Sequence, residues 1–453
     1  MSVTQQLCHT LSQTRFEGLP AAVVTVAKRI MLDGLAVAVA GSLEEGPRIA
    51  AAHVKSLGGT PVSSVLGAGF KTSPVSAASV NGVAMHVLDY EPMWSPPTHA
   101  TSPTLPTILA LAETERADGR ALITAFVKGC EIQGQIRLAS HQHSPAQLKY
   151  HPPGVVGVMG SAVAAGHLLG LDQHQLGHAL GTAASRAGGI MANVGSMTKA
   201  THCGWAAAAG LDAALLARRG FSANAEIFEA PNGYVEVFFG EGFDTAKLLA
   251  FGQPYRLVDP GFAIKLFPSQ YATHFAISAG LELHRQLADP AAIRAVRLTT
   301  PVMPYVDRPA PHNGLDGKFS FQYTLAAALL DGTVTINTFS DARRFRSDMR
   351  TLLPKIDLVQ SDAIPGQLEK MWVEVELHLH DGRPLHARCN GPRGFWGLPP
   401  LEREEHLTKV RACLQTRLSQ ADTERCIRVL ESLETQDAAA VQDLIHLAAR
   451  LPA

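Results

Sequence analysis

The 453-residue chain lacks several features that would assign it to a common functional class. It has almost no net charge, with 39 lysines and arginines against 40 aspartates and glutamates, so no basic field is present to bind nucleic acid or an anionic membrane. Its six cysteines are scattered and form no CxxC pair, which predicts reduced thiols that are mostly packed. No apolar run reaches the roughly eighteen residues of a membrane span, and the first residues lack the pattern of an export signal. We therefore expect a cytoplasmic protein that contacts neither nucleic acid nor membrane.

Familiar catalytic motifs are missing too. The phosphate-binding patterns GxGxxG and GxxxxGK[ST] do not occur, and neither does the nucleophile pattern GxSxG. The zinc motif HExxH is absent, His174 and His178 have no acid or cysteine nearby to complete a site, and His378 and His380 fall on a predicted hairpin. We interpret these four histidines as surface or packed residues and predict no metal site.

Apolar residues, by contrast, make up 46% of the chain, enough for a large core. Up to about residue 220 they recur at helical spacing and are rich in alanine and glycine. After about residue 260 the segments "AVRLTTPVM", "GTVTINTF" and "VEVELHLHDGRPLHARC" alternate with a period of two, which predicts strands. In the last segment Asp381-Gly382 is a tight-turn signal, so we expect a hairpin at about 372–389. From Leu401 the spacing is helical again.

These changes of pattern predict a mainly α fold with an inserted α+β domain. We expect a large helical-bundle domain over residues 1–262 and a smaller α+β lid domain over 263–395. The C-terminal helices, residues 396–453, would complete the helical domain.

A set of polar side chains stands where loops meet apolar segments, which is where catalytic groups are commonly mounted. Lys199 and His202 are three residues apart and would share a face at the positive end of a helix, where a carboxylate binds well. From the residues alone each also has a structural interpretation: His99 as a loop histidine, His151 as a histidine packed beneath prolines. The set comprises Asp89, His99, His151, Lys199, His202, Lys265 and Tyr323.

Several segments, taken in order, cover nearly the whole chain and carry a resemblance. They include "VNGVAMHVLDYEPMWSPPTHATSPTLPTILALAE", "HPPGVVGVMGSAVAAGHLLGL", "GSMTKATHCGWAAAAGLDAALLARRGF", "IKLFPSQYATH" and "KFSFQYTLAAALLDG". The sequence resembles the MmgE/PrpD family, which includes 2-methylcitrate dehydratase, cis-aconitate decarboxylase and iminodisuccinate epimerase. The resemblance implies a homodimer with a helical domain, an α+β lid and a site at their junction. It also implies a small polycarboxylate substrate and no metal or organic cofactor.

The resemblance also implies roles for individual residues. The family pattern matches Asp89, His99, His151, Lys199, Lys265 and Tyr323. We expect catalysis from His99, His151, Tyr323 and Lys199, and substrate binding from Asp89, Lys265, His202, Met93 and Gln270. The interval from Asp89 to His99 resembles that of the decarboxylase branch. Two departures stand out: Met93 occupies a position where threonine is expected, and Gln270 one where histidine is expected. Neither substitute reproduces the chemistry of the expected residue, so the substrate acid can differ.

We therefore expect a cofactor-independent lyase that acts on a small di- or tricarboxylic acid by proton transfer next to a carboxylate. Lys199 and Lys265 would clamp carboxylates, and His99 and His151 would move the proton, because imidazole titrates near neutral pH. Three alternatives stay open: a hydro-lyase like 2-methylcitrate dehydratase, an epimerase or racemase of a dicarboxylate, and a non-catalytic homologue that binds a polycarboxylate.

Overall fold

The long apolar segments form the helices that their periodicity predicts. A computed structural model describes residues 1–142 and 148–451. In the first part of the chain the helices are α1 Val3–Gln13, α2 Ala21–Gly41, α3 Glu45–Leu57, α4 Pro74–His86, α5 Thr101–Glu115, α6 Gly119–Ala139, α7 Pro152–Leu168, α8 Gln173–Ala184, α9 Thr198–Arg218, α10 Tyr234–Phe238 and α11 Thr245–Leu249. Two short strands, β1 Ser63–Ser64 and β2 Lys71–Thr72, pair antiparallel between α3 and α4.

Small residues let the central helices of this domain touch backbone to backbone. A Cβ atom on Gly82 of α4 would lie 2.7 Å from the Cα atom of Gly204 in α9. A Cβ atom on Gly210 of α9 would lie 2.5 Å from the carbonyl oxygen of Val158 in α7. Helices α4, α7 and α9 are therefore held at fixed, short separations, and each carries part of the site described below.

The C-terminal helices α17 Arg403–Leu414, α18 Gln420–Glu431 and α19 Ala438–Ala449 pack on the helical domain and share a core with α2. A buried charge cluster fixes α17 there: Asp33 of α2 accepts hydrogen bonds from Lys409 at 2.8 Å and contacts His406 at 2.9 Å. The chain thus returns to its first domain after the α+β segment. The boundaries at residues 262 and 395 stay predictions.

A four-stranded mixed sheet forms the centre of the α+β domain, with strand order β4-β3-β5-β6. Strand β3 runs parallel to β4 and antiparallel to β5, which is antiparallel to β6. The elements are α12 Thr273–His284, β3 Ile293–Pro301, α13 Gly314–Gly317, α14 Phe321–Asp331, α15 Asp341–Arg344, α16 Ser347–Leu352, β4 Ile356–Ser361, β5 Val373–Leu379 and β6 Pro384–Cys389. The predicted hairpin is confirmed: Val375 faces Ala387, and Gly382 turns the chain at φ 88.

The strand predicted for "GTVTINTF" is wrong. Gly332 ends α14 in the left-handed region, and Ile336–Phe339 forms a 3₁₀ turn. The side chains of Thr335 and Thr338 cap this turn reciprocally, so the backbone groups that a strand would offer to a neighbour are satisfied locally.

The predicted fold class, mainly α with an inserted α+β domain, is confirmed. All six cysteines are buried and unpaired. Within residues 1–142 and 148–451, no helix combines the length and the apolarity needed to cross a bilayer.

Candidate active site

A cleft lies at the junction of the helical and α+β domains, and both line it. Six of the residues that the sequence pointed to are at its wall: Asp89, Met93, His99, His151, Lys199 and Gln270. The α+β side adds Tyr271, Tyr305, Phe319 and Leu368. Polar groups from three helix ends thus face a largely apolar wall, as in many small-molecule sites.

The ends of α4, α7 and α9 deliver the polar groups. The loop after α4 turns at Asp89, whose φ of 51 lies in the left-handed region that non-glycine residues seldom adopt. His151 stands just before α7, whose first two residues are Pro152 and Pro153, and proline suits the first turn of a helix. Lys199 lies in the first turn of α9. Because these helices pack on one another, the three side chains line the same cleft.

Asp89 is a buried carboxylate held between two lysines. Its two oxygens contact the ammonium groups of Lys199 and Lys265. Lys265 is fully buried behind the cleft, and its Nζ also donates to the carbonyl oxygens of Asp89 at 2.8 Å and Ser269 at 3.1 Å. Burial alone would raise the pKa of Asp89, but Lys199 and Lys265 outweigh it and hold that pKa well below its ordinary value. Taken by itself, this group of one carboxylate and two ammonium groups carries one net positive charge.

His99 reaches the cleft and is backed by a second buried carboxylate, Glu91. The Nδ1 atom of His99 lies 3.0 Å from Oε1 of Glu91, and its Nε2 atom lies 3.9 Å from Asp89 Oδ1. The same Oε1 atom contacts Nδ1 of His86 and accepts a hydrogen bond of 2.7 Å from Ser102. Sequence reasoning missed Glu91 and His86. Their position, two residues after and three before Asp89, was the available signal.

His151 and His202 form a histidine pair beside this group. Their Nδ1 atoms are 3.2 Å apart, so one ring donates to the other. Burial, and then the positive charge of Lys199, lowers the pKa of His151 well below its ordinary value, and the same two causes lower the pKa of His202. His151 is therefore a neutral imidazole at the cleft wall, while His202 lies behind it, outside the lining residues.

Met93 and Gln270, the two departures from the family pattern, both contact residues of the α+β domain. Gln270 donates from Nε2 to Tyr305 Oη at 2.8 Å and accepts from the backbone N–H of Ala272 at 2.7 Å. Both ends of the amide are engaged, so its orientation is fixed. Met93 joins the loop to the α+β domain through backbone hydrogen bonds with Ala263, and its side chain packs in that domain's core. Sequence reasoning missed Tyr305, which no motif marked.

Tyr323 lies outside the cleft. Its side chain is buried in the core of the α+β domain, and its hydroxyl donates to the backbone carbonyl of Thr338. Burial raises the pKa of Tyr323 to about 12. The ring of Tyr323, on α14, thus lies in the domain core. The structure does not bring Tyr323 together with the other residues predicted for the site.

His86, His99 and His151 each offer a ring nitrogen, and these atoms lie within 4.8 Å of one another, so the three could hold a metal ion. Sequence reasoning predicted no metal site and did not find this cluster, because His151 lies in a different segment of the chain from His86 and His99. The charged side chains nearby are two carboxylates, Asp89 and Glu91, and three lysines, Lys199, Lys265 and Lys318, so their sum is positive. This surrounding charge suits an anion better than a further cation.

A helical domain capped by an α+β domain, with lysines, a carboxylate and imidazoles at their junction, forms a site suited to a small anionic ligand.

Comparison with known proteins identifies the family. The MmgE/PrpD N-terminal domain matches residues 5–246, and the MmgE/PrpD C-terminal domain matches residues 267–435. The cis-aconitate decarboxylase of Mus musculus is 32% identical over 446 residues, covering 96% of this chain and 91% of the relative. That of Homo sapiens is 31% identical, with 96% and 92% covered, and a cis-aconitate decarboxylase-like protein of Aspergillus oryzae is 27% identical, with 98% and 97% covered. The chain belongs to the MmgE/PrpD family, which confirms the resemblance seen in its motifs.

Proposed function

We propose that the chain is a carboxy-lyase that removes carbon dioxide from cis-aconitate or a closely related unsaturated tricarboxylate. The observation that carries the proposal is the group of Asp89, Lys199, Lys265, His99 and His151 at the domain junction, in a chain whose full-length relatives are named cis-aconitate decarboxylases. The same relatives favour this reaction over dehydration and epimerisation.

Lys199 is the cation best placed to hold a substrate carboxylate. It lines the cleft, whereas Lys265 is sealed beneath it. We assign to Lys265 the task of neutralising Asp89, so that the charge of Lys199 remains available to the substrate. The ring of Phe319, from the α+β domain, lies 5.2 Å from the ammonium of Lys199 and keeps it at the domain junction. A lysine in a largely apolar cleft stabilises negative charge more strongly than one in water.

His99 is the proposed proton donor. The bond between the substrate carbon and the leaving carboxylate breaks, carbon dioxide departs, and the electron pair passes into the conjugated system beside the remaining carboxylates. Protonated His99 then donates the hydrogen on Nε2 to carbon, a C–H bond forms, and neutral His99 recovers a proton from water. His151, neutral and 3.2 Å from His202, donates a hydrogen bond to the substrate. General acid catalysis of this kind contributes about 100- to 10,000-fold.

Proton NMR in heavy water tests the reaction. The purified protein is incubated separately with cis-aconitate, 2-methylcitrate and iminodisuccinate in the presence of a chelator. We expect loss of carbon dioxide from cis-aconitate, with one deuterium built into the product. Water loss from 2-methylcitrate, or exchange at one carbon of iminodisuccinate, would instead identify a hydro-lyase or an epimerase.

Paired histidine variants test the assignment of His99. His99→Gln should lose about 100- to 10,000-fold in turnover. His174→Gln should retain it, because His174 is exposed and lies away from the cleft. Near-normal turnover by folded His99→Gln would remove His99 from the mechanism. Saturable binding of all three acids without turnover by the wild-type protein would identify a binding homologue.

The family resemblance further supports a homodimer of the cytoplasm that works without metal or organic cofactor. Mass measurement in solution tests the dimer, and full activity after chelation tests the independence from metal. A monomer, or activity restored only by an added metal ion, would contradict these two assignments.

A further inference from the structure

Glu91 is a buried carboxylate that two histidines share. Its side chain is inaccessible to solvent, and its Oε1 atom faces Nδ1 of His86, Nδ1 of His99 at 3.0 Å and the hydroxyl of Ser102 at 2.7 Å. It does not line the cleft, so it cannot touch a substrate there. A buried acid that does not line the cleft can affect a substrate there only through the groups that it contacts, and His99 is one of them.

We propose that Glu91 is a positioning residue that holds His99 with its Nδ1 hydrogen directed inward and its Nε2 atom facing the cleft, and that it stabilises the protonated imidazolium. This inference rests on the proposed function of His99 as the proton donor. A carboxylate behind an imidazole fixes which ring nitrogen carries the hydrogen and compensates the positive charge that appears on the ring.

The electrostatic setting leaves the negative charge of Glu91 available to His99. Burial would raise the pKa of Glu91, but the imidazoles of His86 and His99 outweigh it and hold that pKa well below its ordinary value. Burial lowers the pKa of His86 to about 4, so His86 is neutral at pH 7 and donates a hydrogen bond without cancelling the carboxylate. The hydroxyl of Ser102 is neutral as well. His99 is the partner of Glu91 that reaches the cleft.

The groups that face His99 from neighbouring elements fit this arrangement. Asp89, in the same loop as His99, lies on the cleft side, 3.9 Å from Nε2 of His99. Its carboxylate is already paired with Lys199 of α9 and with Lys265. The ring centroids of His86 and His151 lie 4.7 and 6.2 Å from that of His99. Asp89 is therefore committed to the lysines, which leaves Glu91 as the counter-charge behind the ring.

Nitrogen-15 NMR of histidine-labelled wild-type protein tests the orientation without any substrate. We expect the neutral form of His99 to carry its hydrogen on Nδ1. In Glu91→Gln the hydrogen should move in part to Nε2, because the amide can accept or donate at Nδ1 whereas the carboxylate only accepts. A wild-type His99 that carries its hydrogen on Nε2 would overturn the proposal, whatever the activity of the variants.

Kinetics with a matched control separates positioning from a structural role. Glu91→Gln should lose about 100- to 10,000-fold in kcat with little change in KM. The pH–rate profile of Glu91→Gln should differ from that of the wild type, because the counter-charge behind the ring is gone. Glu91→Asp, which keeps the charge, should recover part of the loss and the wild-type pH profile.

The control is Glu113→Gln. Glu113 is also a nearly buried glutamate that contacts a serine and a histidine, Ser64 and His446, but it lies away from the cleft. Equal losses in both variants would mean that removing any buried carboxylate impairs the fold, and would overturn the proposal. If the wild-type protein turns over none of the three acids, the proposed function fails, while the NMR measurement still decides the role of Glu91.

Discussion

Replacing Asp89 by asparagine keeps the size of the side chain but removes the negative charge that holds Lys199 and Lys265. The fully buried Lys265 would then be an uncompensated ammonium, and breaking a buried ion pair in this way costs about 3–5 kcal/mol. The lysine can escape by losing its proton. Starting from an ordinary pKa of about 10.4, deprotonation at pH 7 costs about 4.6 kcal/mol, which sets the upper limit for this lysine. We expect Asp89→Asn to lose about 3–4.6 kcal/mol in the free energy of unfolding at pH 7.

The pH dependence of that loss is the sharper part of the prediction. In the variant the folded-state pKa of Lys265 falls, so at pH 7 the unfolded chain binds one proton more than the folded protein. Stability relative to wild type therefore rises with pH, by about 1.4 kcal/mol per unit, until the ordinary lysine pKa is reached. The deficit should shrink to about 2 kcal/mol at pH 9. Urea unfolding of both proteins at pH 7 and pH 9 measures it.

The control is Asp443→Asn, which removes one partner of the exposed ion pair with Arg425 and should change stability little at either pH. An Asp89→Asn deficit that is the same at pH 7 and pH 9 would refute the reasoning, because it would show that no lysine loses its proton when the carboxylate is removed.

Three further variants test other parts of the structure. Tyr323→Phe should lose about 1 kcal/mol of stability and keep near-normal turnover, because the Tyr323 hydroxyl donates to the Thr338 carbonyl oxygen outside the cleft. A large loss of turnover in steady-state kinetics would instead support the catalytic role that the family resemblance implies. Lys199→Met should raise KM by about 10- to 100-fold, because losing one hydrogen bond to a charged group weakens binding by about that factor. An unchanged KM would mean that the substrate carboxylate binds elsewhere. Gly82→Ala should cost about 1–3 kcal/mol in thermal or urea unfolding, since α4 and α9 must separate, and unchanged stability would contradict that close approach.

Much of the fold could be predicted from local patterns. Alternation of apolar residues and the Asp381-Gly382 turn were enough for the hairpin of β5 and β6, whose buried positions recur every second residue. The same reasoning failed at "GTVTINTF", where β-branched residues are used for a capped turn. It also missed β4, Ile356–Ser361, in which four of six residues are only partly buried and no clear alternation appears. Residue composition alone does not distinguish a capped turn rich in β-branched residues from a partly buried strand such as β4.

The candidate site divides in a similar way. The loop that holds Asp89 and His99, and the helix start at Lys199, could be predicted, because they carry polar residues in apolar surroundings and match the family's motifs. Glu91, His86 and Tyr305 were missed. Nearness to Asp89 in the chain was the signal for Glu91 and His86, but it does not show which way a side chain faces, and Tyr305 had no signal at all.

The sequence by itself determined the helices, the hairpin, the division into a helical and an α+β region, and the family, because each depends on residues close together in the chain or on short motifs in order. Only the tertiary structure decided which charges meet. Asp89 pairs with Lys199 and Lys265, 110 and 176 residues away, and it does so because glycine-mediated contacts bring α4 and α9 together and the chain crosses into the second domain behind them. The positions of Glu91 behind His99, and of Tyr323 in the domain core, follow from that packing, since the direction of a buried side chain depends on what surrounds it in space.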